Sequence, residues 1–129
     1  MVKRILPILL VILVAAAFRP PGGAVITFDD MKYNFGFIHQ GDVVTHEFTF
    51  TNSGDDALII SDATVECKCT TVEFPKEPIA KGAKGTIKVT FDSKAAIDRQ
   101  ERTVTVVSNA TDSPATLTFK CVVLKAKAK

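Results

Sequence analysis

The feature that most constrains this chain is a two-residue alternation of apolar and polar side chains that keeps returning along it. Val44, His46, Phe48 and Phe50 share one side of an extended segment, and Thr45, Glu47, Thr49 and Thr51 the other. Leu58 and Ile60 alternate with Ile59 and Ser61. Ile87, Val89 and Phe91 alternate with Lys88, Thr90 and Asp92, and Val104 and Val106 with Thr103 and Thr105. Leu117, Phe119, Cys121 and Val123 alternate with Thr116, Thr118 and Lys120. Successive side chains of a strand point to opposite faces, so this period describes strands with one face buried and one wet. A helix would need apolar residues three and four apart, and no long segment after residue 24 keeps that spacing.

Turn-forming residues separate these runs. Gly41-Asp42 precedes the first long strand, and Asn52-Ser53-Gly54-Asp55-Asp56 is predicted to join it to the next as a hairpin. Pro75 and Pro78 bracket a loop, and Lys81–Gly85 is a polar turn. Asp92–Gln100 is predicted as the longest connection, with one helical turn at Lys94–Ile97, and Ser108–Pro114 links the last two strands. Shorter strands are expected at Val25–Phe28, Lys32–Phe35 and Val72–Phe74. About seven short antiparallel strands with turns between them predict an all-β, two-sheet sandwich. A length of 129 residues accommodates one such domain and excludes a two-domain enzyme.

The N-terminal segment has a different character. Lys3 and Arg4 precede an apolar run from Ile5 to Phe18, the charge pattern and length of a secretory signal rather than of a membrane span, which needs about 20 residues. Ala15-Ala16-Ala17 offers a cleavage site after Ala17, and Gly22 and Ala24 offer a second after Ala24. Residues 1–24 are therefore read as a signal peptide, 25–124 as the sandwich and 125–129 as a basic tail. Retained, the leader would be an inner-membrane anchor. The net charge of +2 equals that of Lys3 and Arg4: without these two, as after cleavage at Ala17, the chain carries 14 basic and 14 acidic residues. Neutrality gives no electrostatic reason to expect nucleic acid.

Specific residues carry a family resemblance. Phe35-Gly36, Ile38 and Gly41 are followed by Phe48, Phe50, Asn52, Gly54, Leu58 and Ile60. Then come Cys67-Lys68-Cys69-Thr70, Pro78-Ile79, Gly82, Gly85, Ile87, Val89 and Phe91, and the corner Ser108-Asn109-Ala110. In this order they resemble the domain of unknown function 1573 family across about residues 33–123. The resemblance implies an immunoglobulin-like sandwich in a bacterial protein outside the cytoplasm, periplasmic or secreted, and implies no known activity. The chain departs from the family at Lys68, where Gly is usual, and at Cys121, where a small residue is usual.

Three cysteines are an odd number for an exported chain, so at least one stays free or pairs with another molecule. Cys121 shares the inward side of Leu117 and Phe119 and reads as buried filler. Cys67 and Cys69 admit a local disulfide, a Cu(I) or Zn(II) site, or thiol exchange. An extended path through Lys68 would set their Cα atoms about 6.5–7 Å apart, at the upper limit for a disulfide, so a bond there requires the strand to bulge.

His39 reads as exposed turn polarity and His46 as a half-buried strand residue, with a contribution to a metal site at Cys67 and Cys69 as the lesser alternative. Asp29-Asp30 and Asp55-Asp56 read as turn polarity with weak Ca²⁺ contact as the alternative, and Asn109-Ala110-Thr111 matters only in a eukaryotic secretory route. No Ser-His-Asp set, phosphate loop or zinc-protease helix is visible. The expected function is that of an exported binding or structural module with a protein or cell-envelope partner, not of an enzyme, with no catalytic residue and no bound cofactor. The alternative is a periplasmic soft-metal-binding or thiol-redox protein using Cys67 and Cys69.

Overall fold

The computed structural model describes residues 23–126, and most of the leader reading and the end of the basic tail lie outside the described residues. The strands are β1 (Ile26–Phe28), β2 (Lys32–His39), β3 (Val43–Asn52), β4 (Ile60–Val65), β5 (Thr70–Glu73), β6 (Lys84–Asp92), β7 (Asp98–Ser108) and β8 (Ala115–Leu124). They form two four-stranded sheets, ordered β1-β3-β6-β5 and β2-β8-β7-β4. The inward residues of the sequence pattern meet between them: Phe48, Phe50, Leu58, Ile87, Val89, Phe91, Val104, Val106, Leu117, Phe119, Cys121 and Val123 are all buried. Outward positions are rich in threonine, which suits an exposed pleated surface. Among the described residues, no helix is long and apolar enough to cross a membrane.

Four local expectations need correction. The segment after Asn52 is not a hairpin: β3 and β4 belong to different sheets, and the chain crosses from one to the other. The buried Asn52 side chain anchors this crossing, its Nδ2 donating to Asp56 O at 2.8 Å and Ile79 O at 2.9 Å. Its Oδ1 accepts from Gly54 N at 3.1 Å and Val25 N at 3.4 Å. The sandwich is also not wholly antiparallel, because β2 runs parallel to β8. After pairing with β3, the chain leaves β1 for the opposite sheet, and continuing in that direction sets it alongside β8.

The Asp92–Gln100 connection is shorter than expected. A short 3-10 helix spans Ser93–Ala95 in place of a turn at Lys94–Ile97, and β7 starts at Asp98. Asp92 caps it by accepting from Lys94 N at 3.0 Å. Ser93 is fully buried there because its hydroxyl donates to His39 O and Asp42 O. Finally, His39 ends β2 as a half-buried residue instead of sitting exposed in a turn. Its N–H is held by the Asp42 carboxylate at 2.9 Å.

Candidate functional site

The passage from β4 to β5, between the two sheets, carries the cysteines. β4, an edge strand of one sheet, ends at Val65, and β5, an edge strand of the other, begins at Thr70. Between them Cys67 O accepts from Thr70 N at 3.2 Å, which turns the backbone at Lys68-Cys69. The turn, not an extended strand, brings the two Cα atoms to 5.2 Å, within ordinary disulfide range, and the two sulfurs are bonded. The extended path expected for a Lys at position 68 is thus replaced by a turn that an ordinary L-residue adopts.

Around the bond, Cys69 N donates to Cys67 Sγ at 3.1 Å, and Cys69 Sγ lies 3.7 Å from the Thr70 hydroxyl. Cys69 O accepts from Asp92 N at 2.9 Å, and the Thr103 hydroxyl donates to the Glu66 carboxylate. Cys69 packs against the edge of the core, while Glu66 and Lys68 are exposed. A sulfur held in a disulfide offers no thiolate to a soft metal, so Cu(I) or Zn(II) capture here would require the reduced pair.

The histidines are placed elsewhere. His46 sits on β3, with β6 between it and β5. Its ring stacks on Tyr33 of β2 at 3.6 Å between centroids, closing the gap between the sheets with Phe35 and Phe48. Burial lowers its pKa from the ordinary histidine value, against the opposing pull of Asp30 and Glu47. Among the described residues, no group of three or more His, Cys, Asp or Glu side chains gathers to hold a metal. Cys121 is free and buried, and burial raises its thiol pKa despite the nearby Arg102 charge.

A second surface feature lies on β2, the edge strand opposite β4 in the same sheet. The β2–β8 register shifts between Asn34 and Gly36, where Gly36 takes φ +77° and its N–H bonds to Asn34 Oδ1 at 2.8 Å. The bulge is followed by adjacent apolar residues, Phe37 and Ile38. Ile38 is buried, so Phe37 must point outward, and it is 74% exposed. Phe37 pairs in register with Val122, and Leu124 and Ile97 are exposed close by along β8 and before β7. Beside them, a shallow groove of about 480 Å³ is lined by Lys32, Tyr33, Asn34, Glu101, Thr118 and Lys120. Sequence reasoning passed over Phe37, although two neighbouring apolar residues in a strand already require one to face out.

The family model described as "Protein of unknown function (DUF1573)" matches residues 26–123, most of the chain. The chain belongs to the DUF1573 family. Solved structures share the fold of this DUF1573 chain at low identity. A protein of unknown function from Porphyromonas gingivalis W83 matches with TM-score 0.69 and 12% identity, over 77% of this chain and 46% of that one. The secreted serine protease VesC from Vibrio cholerae matches with TM-score 0.62 and 15% identity, over 81% of this chain and 24% of that one. The PapD-like domain 7 of human CEP192 matches with TM-score 0.58 and 12% identity, over 91% of this chain and 95% of that domain. The DUF1573 chain therefore spans about half of the Porphyromonas protein and a quarter of the Vibrio protease, and about one whole PapD-like domain. No curated protein matches it. These likenesses establish an immunoglobulin-like sandwich.

Proposed function

We propose that this DUF1573 chain is an exported bacterial module that binds a protein or another component of the cell envelope. The observation that carries this reading is the apolar surface of exposed Phe37, Leu124 and Ile97 around half-buried Val122, which runs inward from the open edge strand β2. Contiguous exposed apolar groups on a small domain mark contact surfaces, and an unpaired edge strand offers backbone groups to a partner. The occurrence of the fold as about a quarter of a secreted Vibrio protease agrees with a module that works outside the cytoplasm.

The leader supports the same compartment, and the fold favours one of its two cleavage positions. Ala24 is buried, and Gly23 O and Ala24 O accept from Asp55 N at 3.2 Å and Thr111 N at 2.9 Å. Cleavage after Ala17 leaves these contacts in place, whereas cleavage after Ala24 removes them. Uncleaved, the leader would hold the module at the inner membrane.

A photo-crosslinking residue placed at position 37, with position 45 on the opposite sheet as control, tests the reading in intact cells. A discrete adduct from position 37 that is absent from position 45 is expected. Equal labelling from both positions, or fractionation of the chain with the cytoplasm, would sink it.

A further inference from the structure

We propose that the Cys67–Cys69 disulfide exchanges with exported proteins that carry a pair of thiols, making the β4–β5 crossing a two-electron redox site instead of a structural staple. This goes beyond the binding role and involves the opposite edge of the sheet from Phe37.

The crossing is held without the sulfur bond. Thr70 N bonds to Cys67 O, Asp92 N to Cys69 O, Thr103 to Glu66, and Thr70 stands in register with Phe91. A bond between residues two apart closes a minimal loop, which removes little freedom from the unfolded chain. Opening it therefore leaves the sandwich its core and its ladder. Cys67, half-buried, also sits at a turn between exposed Glu66 and exposed Lys68.

The two sulfurs are not equivalent. Cys69 packs against the core, and its backbone N–H points at Cys67 Sγ. That N–H favours a thiolate at Cys67, and the packing of Cys69 leaves Cys67 the sulfur nearer solvent, while Lys68, next to both, adds positive charge to the turn. Cys67 is thus the sulfur that enters the mixed disulfide. A partner thiolate attacks Cys67 Sγ, the Cys67–Cys69 bond breaks, and Cys69 leaves as a thiolate that takes a proton from water. The partner's second thiol loses its proton to water and attacks the partner sulfur now bound to Cys67, expelling the Cys67 thiolate. The partner's two thiols become a disulfide, and the Cys67–Cys69 pair gains two electrons.

The test uses the full chain and glutathione. Exposed to millimolar reduced glutathione and then to a maleimide mass tag, the chain should gain two tags, at Cys67 and Cys69, with its circular dichroism unchanged. The buried Cys121 should stay untagged in the folded chain. A pair that remains oxidised, or that opens only as the chain unfolds, overturns the proposal. With oxidised glutathione, Cys69→Ser should form its adduct at Cys67 about tenfold faster than Cys67→Ser does at Cys69. Lys68→Glu should slow the Cys67 reaction several-fold. Equal rates at the two cysteines would overturn the assigned roles.

Discussion

Of the chain's passages between sheets, two, at Asn52–Ile60 and at Val65–Thr70, are secured by opposite means. The first turns on a buried side chain. Asn52 is fully enclosed and makes four hydrogen bonds, and Gly54 lies so close to the Gly23–Val25 backbone that a Cβ there would meet Gly23 O at 2.3 Å. The second is at the surface, held by a turn hydrogen bond, two neighbouring strands and one bond between sulfurs. A buried polar side chain with every group partnered admits one arrangement, because each unpaired group would cost its desolvation. A surface turn closed by a short disulfide tolerates being opened. The first crossing has the character of scaffold, and the second of a place where chemistry can occur.

The comparison breaks most directly at Asn52. Asn52→Ala removes the buried side-chain partner of Val25 N, Gly54 N, Asp56 O and Ile79 O, so a loss of about 3 kcal/mol is expected. Urea denaturation at constant m-value measures it. A loss under about 1 kcal/mol would mean that the crossing is held elsewhere. Next in size is the effect of starting the chain at Val25 instead of Phe18. Ala24 burial and the hydrogen bonds to Gly23 O and Ala24 O disappear, which costs about 2 kcal/mol and lowers the melting temperature. Equal melting temperatures for the two chains would show that the domain begins at Val25.

The sequence made the strands legible because period-2 alternation depends only on which side chains are buried, and the inward sets around Phe48, Val89, Val104 and Phe119 are in the core except for half-buried Val44 and His46 at one end of β3. It could not reveal which sheet a strand enters. Asn52 through Asp56 has the composition of a hairpin turn, and only the burial of Asn52, a polar residue on the inward side of Phe48 and Phe50, distinguishes a crossing from a turn. That signal was available in the alternation itself. The parallel pairing of β2 with β8 was not, because it depends on a change of sheet between Phe28 and Lys32 that leaves no mark on either strand's pattern. Of the candidate site, the cysteine pair was legible as chemistry, but its turn was not, since Lys68 carries no preference that would announce one.

At the second crossing the expected effect is smaller. Replacing both cysteines, Cys67→Ser with Cys69→Ser, should cost no more than about 1.5 kcal/mol, the loop-closure value for so short a loop. Urea denaturation of the oxidised chain against the double variant measures it. A loss matching that of Asn52→Ala would make the disulfide a staple and erase the contrast between the crossings.

The smallest effect separates burial from charge within the first crossing. Lys81 Nζ lies 3.0 Å from Asp55 Oδ1, and both side chains are more than half exposed. Water and salt screen such a pair, and holding two mobile side chains together offsets part of the attraction. Lys81→Ala should therefore shift stability by about 0.5 kcal/mol or less, and the shift should vanish in about 1 M salt, where charges a few ångströms apart are already screened. Melting curves of the variant and the unaltered chain at low and high salt measure both. If Lys81→Ala cost as much as Asn52→Ala, or kept its cost in high salt, the crossing would be fastened by its surface ion pair. The buried amide would then be a passenger, and the distinction drawn between the two crossings would rest on the wrong residue.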